Sequence, residues 1–276
     1  MISIGIDVGG SKIAAAVVDV RGGILGRSLQ IETPAADGGA AVLDACVGLG
    51  TDLSAGEAAT VGIGLCELVD LSGIPVSGET IDWRPLDIEA SFRTVGRVVV
   101  ESDVRAAARA EATFGLGRGV DVFLFVVVGT GLSYCLVLHG RPYPGAHGAA
   151  ILVGAPPVEL QASGRALALQ AGARRAEEMI DDPRHRELVA TAAKSLGHAL
   201  TWLVNALDPR LVVVGGGLGL HDRFREQAID CFHEMSGTRP FGHPPVLPSE
   251  LGPYGGVVGA ALVGAEAVGS SAELGT

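Results

Sequence analysis

Hydrophobic positions fall in short blocks divided by glycine and acidic residues. An apolar run from Ile2 to Ile6 stops at Asp7, Gly9, Gly10, Ser11 and Lys12 make a turn, and a second run extends from Ile13 to Val18. After a polar turn at 19–23, residues 24–31 resume the pattern, so the first thirty residues predict a three-strand meander. Residues 40–49 predict a helix and 60–65 a buried strand; 97–100 predict a strand running into Glu101, Ser102 and Asp103, and the Ala-rich stretch 104–114 favours a helix. A second strand–turn–strand follows, 122–128 and 132–138 around Gly129, Thr130 and Gly131. Helical patterns then dominate at 160–170 and 187–207, the latter ended by Asp208 and Pro209. An all-aliphatic strand at 211–214 leads into Gly215, Gly216 and Gly217, then a helix at about 221–232 and a small-residue helix at 255–268. Residues 269–276 read as a frayed tail. Strands alternating with helices predict an α/β fold, and the two strand–glycine turn–strand units predict two related halves facing a cleft.

Composition narrows the function. The chain has 276 residues, 48% of them hydrophobic and 18% charged, which suits one large or two modest globular domains. A formal net charge of -11 and the lack of any Lys/Arg run set aside nucleic acid as a partner. Cys46, Cys66, Cys135 and Cys231 form no C-x-x-C pair, against both a disulfide framework and a thiolate metal site. The uncharged stretch 122–138 approaches membrane-spanning length, yet Gly129 and Gly131 interrupt it and β-branched residues fill it, so two strands around a tight turn are expected and no membrane partner. The opening MISIGIDVGG lacks a basic region and carries Asp7, which sets aside a signal peptide and makes cytoplasm the expected compartment.

Three turns carry candidate chemistry. At Asp7 and the following Gly-Gly-Ser-Lys, backbone N–H groups can approach an anion, and the carboxylate can hold a Mg²⁺ that bridges phosphates; a hairpin turn with a capping Asp is the alternative. Gly129, Thr130 and Gly131 repeat that context, so two hairpins could clasp one nucleotide. Neither is a Walker A loop, and neither is a dinucleotide fingerprint, since a strand follows each. Gly215 to Gly217 end a buried strand, where a purine and ribose could lie against backbone, or a plain strand-to-helix turn could stand. Asp103 closes a strand and opens a helix, as either an N-cap or a base.

These segments, together with Gly145-Ala146-His147-Gly148-Ala149-Ala150, Glu159 before Ala162-Ser163-Gly164, and Asp208-Pro209 through Gly217, resemble the ROK family of sugar kinases and repressors over essentially the whole chain. The resemblance implies the two-lobed ribonuclease-H-like fold of actin and hexokinase, ATP with Mg²⁺, and phosphoryl transfer to a sugar hydroxyl, a primary one in the family. It implies a phosphate-binding role for Asp7, Gly9, Gly10, Ser11 and Lys12, a second phosphate loop at Gly129, Thr130 and Gly131, an adenosine-side turn at Gly215, Gly216 and Gly217, and Asp103 as general base. Repressor members carry an added DNA-binding region; this chain starts at the first strand, which makes a transcription factor unexpected. The expected division is 1–115 with 259–276 in one lobe and 116–258 in the other, with hinge closure between them. A homodimer is expected from the family.

The departures concentrate on the acceptor side. Ser102 replaces a sugar-contacting Asn, and Arg105 replaces a second Asn, where it could fill the site or pair with Asp103. Leu152 and Ala155 stand where the family has a carboxylate and a histidine, and the cysteine-rich zinc loop is absent, so no structural zinc is expected; Glu159 alone persists from that cluster. Glu67, in place of a Pro-Gly, is read as a carboxylate facing an ammonium group or as an exposed loop charge. His147 joins the acceptor candidates, with a structural role as the alternative. Glu177, Glu178, Asp181 and Asp182 read as a solvated helix end. Unpaired hydroxyls are costly in a buried site, so these losses point to an unusual acceptor such as a C7-cyclitol, a deoxy sugar or an amino sugar. A catalytically impaired sugar- or nucleotide-binding protein and a glucokinase with altered acceptor contacts are the alternatives.

Overall fold

The computed structural model describes residues 2–55, 59–152 and 161–273. Residues up to 114 form β1 (Ser3–Val8), β2 (Lys12–Val18), β3 (Ile24–Glu32), α1 (Gly39–Ser54), β4 (Ala59–Leu65), α2 (Ile88–Ser91), β5 (Gly96–Ser102) and α3 (Asp103–Phe114). The remainder forms β6 (Val122–Val128), β7 (Leu132–Leu138), β8 (Arg141–Pro142), α4 (Gly164–Ala171), α5 (Arg186–Leu207), β9 (Leu211–Gly215), α6 (Gly217–Leu220), α7 (Asp222–Ser236), β10 (Val246–Pro248) and α8 (Gly255–Glu273). They group into two compact units: residues 1–114, 144–150 and 254–276, and residues 115–143 and 151–253.

Each unit is built on one five-stranded sheet of the same plan. In the first the order is β3-β2-β1-β4-β5, in the second β10-β9-β6-β7-β8. Each opens with an antiparallel hairpin, β1–β2 or β6–β7, and adds parallel strands beside the first strand, β4 and β5 or β9 and β10. The strand–turn–strand repeat seen in the sequence is thus a repeat of topology. The uncharged stretch 122–138 is the β6–β7 hairpin, Val122 paired with Leu138, and none of the described helices is long and apolar enough to cross a membrane.

Both sheets are buried by helices. In the first unit Ile4, Ile6, Val61, Ile63 and Leu65 pack with Val42, Leu43, Cys46 and Leu49 of α1 and with Trp83 and Phe92. In the second, Leu124, Val126, Val212 and Val214 pack with Leu196 and Leu200 of α5 and Phe224 and Phe232 of α7. Small residues let α8 come close to β1, β4 and α3. A Cβ added to Gly62 would lie 1.7 Å from the Ala260 carbonyl oxygen, and one on Gly259 would lie 1.9 Å from that of Ala106.

The structure departs from the sequence pattern at a few places. The helix expected at 221–232 is α7, which runs on to Ser236, and the short α6 precedes it with His221 extended between the two. The final helix continues through Glu273, across most of the segment read as a frayed tail, and the two- and three-residue strands β8 and β10 were too short to show a period. Pro144–Ala150, expected with the second lobe, groups with the first unit.

Candidate active site

In the first unit the parallel register sets Asp7, Gly64 and Glu101 in one row across β1, β4 and β5, with Val8, Leu65 and Ser102 in the next. Asp103 follows directly as the first residue of α3. Gly64 lies between the two carboxylates: a Cβ there would be 3.3 Å from the Asp103 Cα and 3.7 Å from an Asp7 Oδ. From the other side α8 closes in, and a Cβ at Gly256 would stand 2.3 Å from the second Asp7 Oδ. Two glycines therefore make the space that these carboxyls occupy.

That crowding shifts both groups. Burial pushes Asp7 up to about 6, against the opposing pull of the Lys12 ammonium. Burial, then the charge of Asp7 and, less, that of Glu67, pushes Asp103 up to about 8; the Val104 N–H, donating to Asp103 Oδ1 at 2.6 Å, and Arg105 offset part of this. The two carboxyls titrate as a pair. Cys66, partly buried beside Asp103, Glu67 and Asp7, has its thiol pushed well up, mainly by burial and then by those charges.

The hairpin after Asp7 is held at both ends. Gly9 N–H donates to the Lys12 carbonyl at 3.0 Å, while Thr33, just beyond β3, donates its N–H to the Ser11 carbonyl at 3.2 Å and its hydroxyl to that of Gly9 at 2.7 Å. Sequence reasoning missed Thr33, because its contact with the turn exists only once β3 pairs with β2. Gly10 lies in the same turn, and Lys12 is solvent-exposed.

The acceptor-side residues fare differently. Glu67 is buried and accepts from the Ser77 hydroxyl at 2.5 Å and from the N–H groups of Glu79, Thr80 and Ile81 at 3.1, 2.7 and 2.9 Å. It organises the turn that leads to Trp83, which corrects both the ammonium-facing and the exposed-charge readings. Ser102 is fully buried with its hydroxyl unpartnered, so it is not open to an acceptor in this conformation. Arg105 neither fills a sugar site nor pairs with Asp103: its guanidinium bonds Glu101 and the carbonyls of Val69 and Gly148. His147 is exposed within Pro144–Ala150. Glu159 and Ala155 lie outside the described residues.

The second unit gathers the other glycine turns. Gly129 N–H donates to the Gly131 carbonyl at 3.0 Å, closing the β6–β7 turn. The start of α4 is fixed to this turn, with Gly164 N–H donating to the Gly129 carbonyl at 2.7 Å and Arg165 N–H to that of Thr130 at 3.0 Å. Only glycine permits this approach, since a Cβ at Gly164 would lie 2.7 Å from the Gly129 oxygen. Ser163, in the Ala162-Ser163-Gly164 segment of the family resemblance, caps α4 by accepting from Ala166 N–H at 3.2 Å.

The β9 turn lies beside the same hairpin. Gly215 pairs with Val127, and Gly216, at φ +82°, sits where a Cβ would be 2.5 Å from the Val128 oxygen. An Oε of Glu177 lies 2.8 Å from the Cβ position of Gly217, so this carboxylate covers the turn rather than standing apart at a helix end. Leu152 is 56% exposed and bridges to Ser133 of β7.

This geometry was compared with known proteins. The ROK family profile matches residues 3–266. A glucokinase of Streptomyces coelicolor is 30% identical, across 94% of this chain and 96% of its own length. The bifunctional enzyme NanE/NanK of Brucella melitensis is also 30% identical, across 92% of this chain and 52% of its own. A crystal structure of a ROK glucokinase from Streptomyces griseus, in complex with glucose and AMPPNP, superimposes with a TM-score of 0.84 at 27% identity, covering 96% of this chain and all of that one. Its actin/hexokinase-like architecture is the fold described above.

Proposed function

The chain belongs to the ROK family, and from that premise we propose that it is an ATP-dependent kinase that phosphorylates a hydroxyl of a sugar or sugar-like polyol. The observation that carries the reading is the Asp7–Asp103 pair across Gly64, at the ends of parallel strands, with a glycine hairpin beside it. Phosphoryl transfer demands positioning and charge neutralisation more than covalent chemistry. Asp103 accepts the proton of the attacking hydroxyl. Burial and the neighbouring charge raise its affinity for that proton into the range where a base works near neutral pH.

A divalent cation fits this site. Two buried carboxyls, Asp103 feeling the charge of Asp7, present hard oxygen ligands, and Asp7 is the one adjoining the phosphate hairpin. Asp7 would hold Mg²⁺ there, which would supply neutralisation of the phosphate charge. In this reading Gly9, Gly10, Ser11 and Lys12 form one phosphate loop, and Gly129, Thr130 and Gly131 form another. Gly215, Gly216 and Gly217 receive the adenosine. A scaffold without structural zinc is proposed on the missing cysteine-rich loop alone.

For the acceptor we infer a molecule that lacks a group at the position beside Leu152, such as a C7-cyclitol or a deoxy sugar. Ser102 is sealed and Leu152 exposes an apolar side chain. Glu67 lends no support to an amino sugar, because its own chain supplies four donors. The glucokinase relatives favour glucose as the competing acceptor. Arg105 is turned away from Asp103, which weighs against an inactivated binding protein.

ADP release with MgATP over glucose, N-acetylhexosamines, deoxy sugars and C7-cyclitols tests these readings on one preparation, with zinc measured alongside. Acceptor-dependent turnover is expected, reduced roughly 10²–10⁴-fold by Asp103→Asn. Glucose turned over as well as the cyclitols would overturn the unusual acceptor, and stoichiometric zinc the zinc-free scaffold. ATP binding with no turnover on any acceptor would put the binding protein ahead of the kinase.

A further inference from the structure

Arg105 stands two residues after Asp103 on the first turn of α3, and only 2% of its surface reaches solvent. A buried guanidinium is tolerated only when its charge and its donors are satisfied. Here Nε donates to Glu101 Oε1 at 2.7 Å and Nη2 approaches the same oxygen at 2.6 Å, which settles the charge. The other donors leave the helix: Nη2 reaches the Val69 carbonyl at 2.6 Å, and Nη1 the Gly148 carbonyl at 2.5 Å.

The two carbonyls belong to segments that meet there. Gly148, at φ +80°, packs so tightly that a Cβ would lie 2.2 Å from the Val69 oxygen and 3.0 Å from the Asp70 Cα. Pro144–Ala150 is a compact loop, Ala150 N–H donating to the Pro144 carbonyl at 3.2 Å, and it groups with the first unit although its chain neighbours do not. It carries His147. The guanidinium beside the base therefore ties down both this loop and the one that follows β4.

We infer that Arg105 is the positioning residue of the acceptor site: it acts through the Val69 and Gly148 carbonyls, holding the loop that carries His147 in register with Asp103. The role rests on the reading of Asp103 as the base of a sugar kinase. Lysine cannot reproduce it, because a single ammonium does not present a planar fork of five N–H donors to three separate acceptors.

The test combines kinetics with amide hydrogen exchange on the full-length protein, for Arg105→Met and Arg105→Lys. In Arg105→Met the acceptor KM is expected to rise about tenfold or more, while the ATP KM stays unchanged, since misplacement of a reacting partner is felt where that partner binds. Arg105→Lys is expected to fall between it and the native protein. Exchange is expected to quicken in peptides covering 66–70 and 144–150, and to stay native in β1. An unchanged acceptor KM in either folded variant would overturn the positioning role, as would native exchange in 144–150. Arg105→Lys keeps the charge that balances Glu101, and so serves if the Met variant does not fold. A native enzyme silent on every acceptor would overturn the kinase reading and with it this role in catalysis, while exchange would still decide whether the tether exists.

Discussion

Asp7 and Asp103 would each titrate near 3.8 in a solvated peptide; burial pushes them up to about 6 and about 8, and at Asp103 the charge of Asp7, across Gly64, adds to the shift. Two measurable results follow. A base must be ionised, so turnover falls as pH drops, with an acid limb above the ordinary carboxylate range whose apparent value belongs to the pair. Asp7→Asn removes a neighbouring charge, and Asp103 then titrates lower, as carboxyl-carbon NMR of the nucleotide-free protein would record; an unmoved Asp103 would contradict their coupling. The sign for stability is the reverse of a salt-bridged carboxylate. Between about pH 4 and 8 the native state keeps protons that the unfolded chain has released, so the contribution of these groups declines as pH rises, and Asp103→Asn flattens that slope in pH-dependent denaturation. At this scale the sequence was legible in where Asp7 and Asp103 sit, near the end of β1 and at the start of α3. It was not legible at Glu67, whose four donors come from residues 77–81 and only folding brings them to it.

Among the elements, α8 shows how glycine composition becomes geometry. Its Gly and Ala residues gave a weak amphipathic signal, yet this helix meets β1, β4 and α3 backbone to backbone because Gly5, Gly62 and Gly259 carry no Cβ. Gly62→Ala would drive a methyl into the Ala260 carbonyl, and is expected to cost about 1–3 kcal/mol or more. Gly48→Ala is the matched control, exposed within α1 with no atom near its Cβ position, and is expected to gain roughly 0.5–1 kcal/mol from helix propensity. Chemical denaturation of the two variants reads the contrast directly. Equal effects would mean that close packing of α8 does not hold. The sequence located this helix, because residue composition sets propensity locally. Its partner strands were beyond reach, since β1 and α8 are some 250 residues apart and no local period encodes such a pairing.

For the molecule as a whole, chain order and spatial order diverge most in the first unit, which is assembled from 1–114, 144–150 and 254–276. A chain ending at Pro253 lacks the helix that covers β1 and β4, so it is expected to lose the first unit's cooperative unfolding transition and expose its core to a hydrophobic dye. A native-like transition from that truncated chain would show that the unit folds without α8. The sequence by itself determined the α/β class, the duplicated hairpin plan, the family, and the glycine and aspartate positions from which the site is built. These are legible because strand period, turn chemistry and motif spacing act over a few residues. Tertiary structure alone decided that Asp7 and Asp103 share one electrostatic neighbourhood, that Glu67 is held by donors of its own chain and Ser102 is sealed in the core, and that Arg105 binds two distant carbonyls instead of Asp103. The reason is physical: burial, charge coupling and hydrogen-bond partnership depend on distances between segments far apart in the chain, and those distances exist only after the sheets and helices have packed.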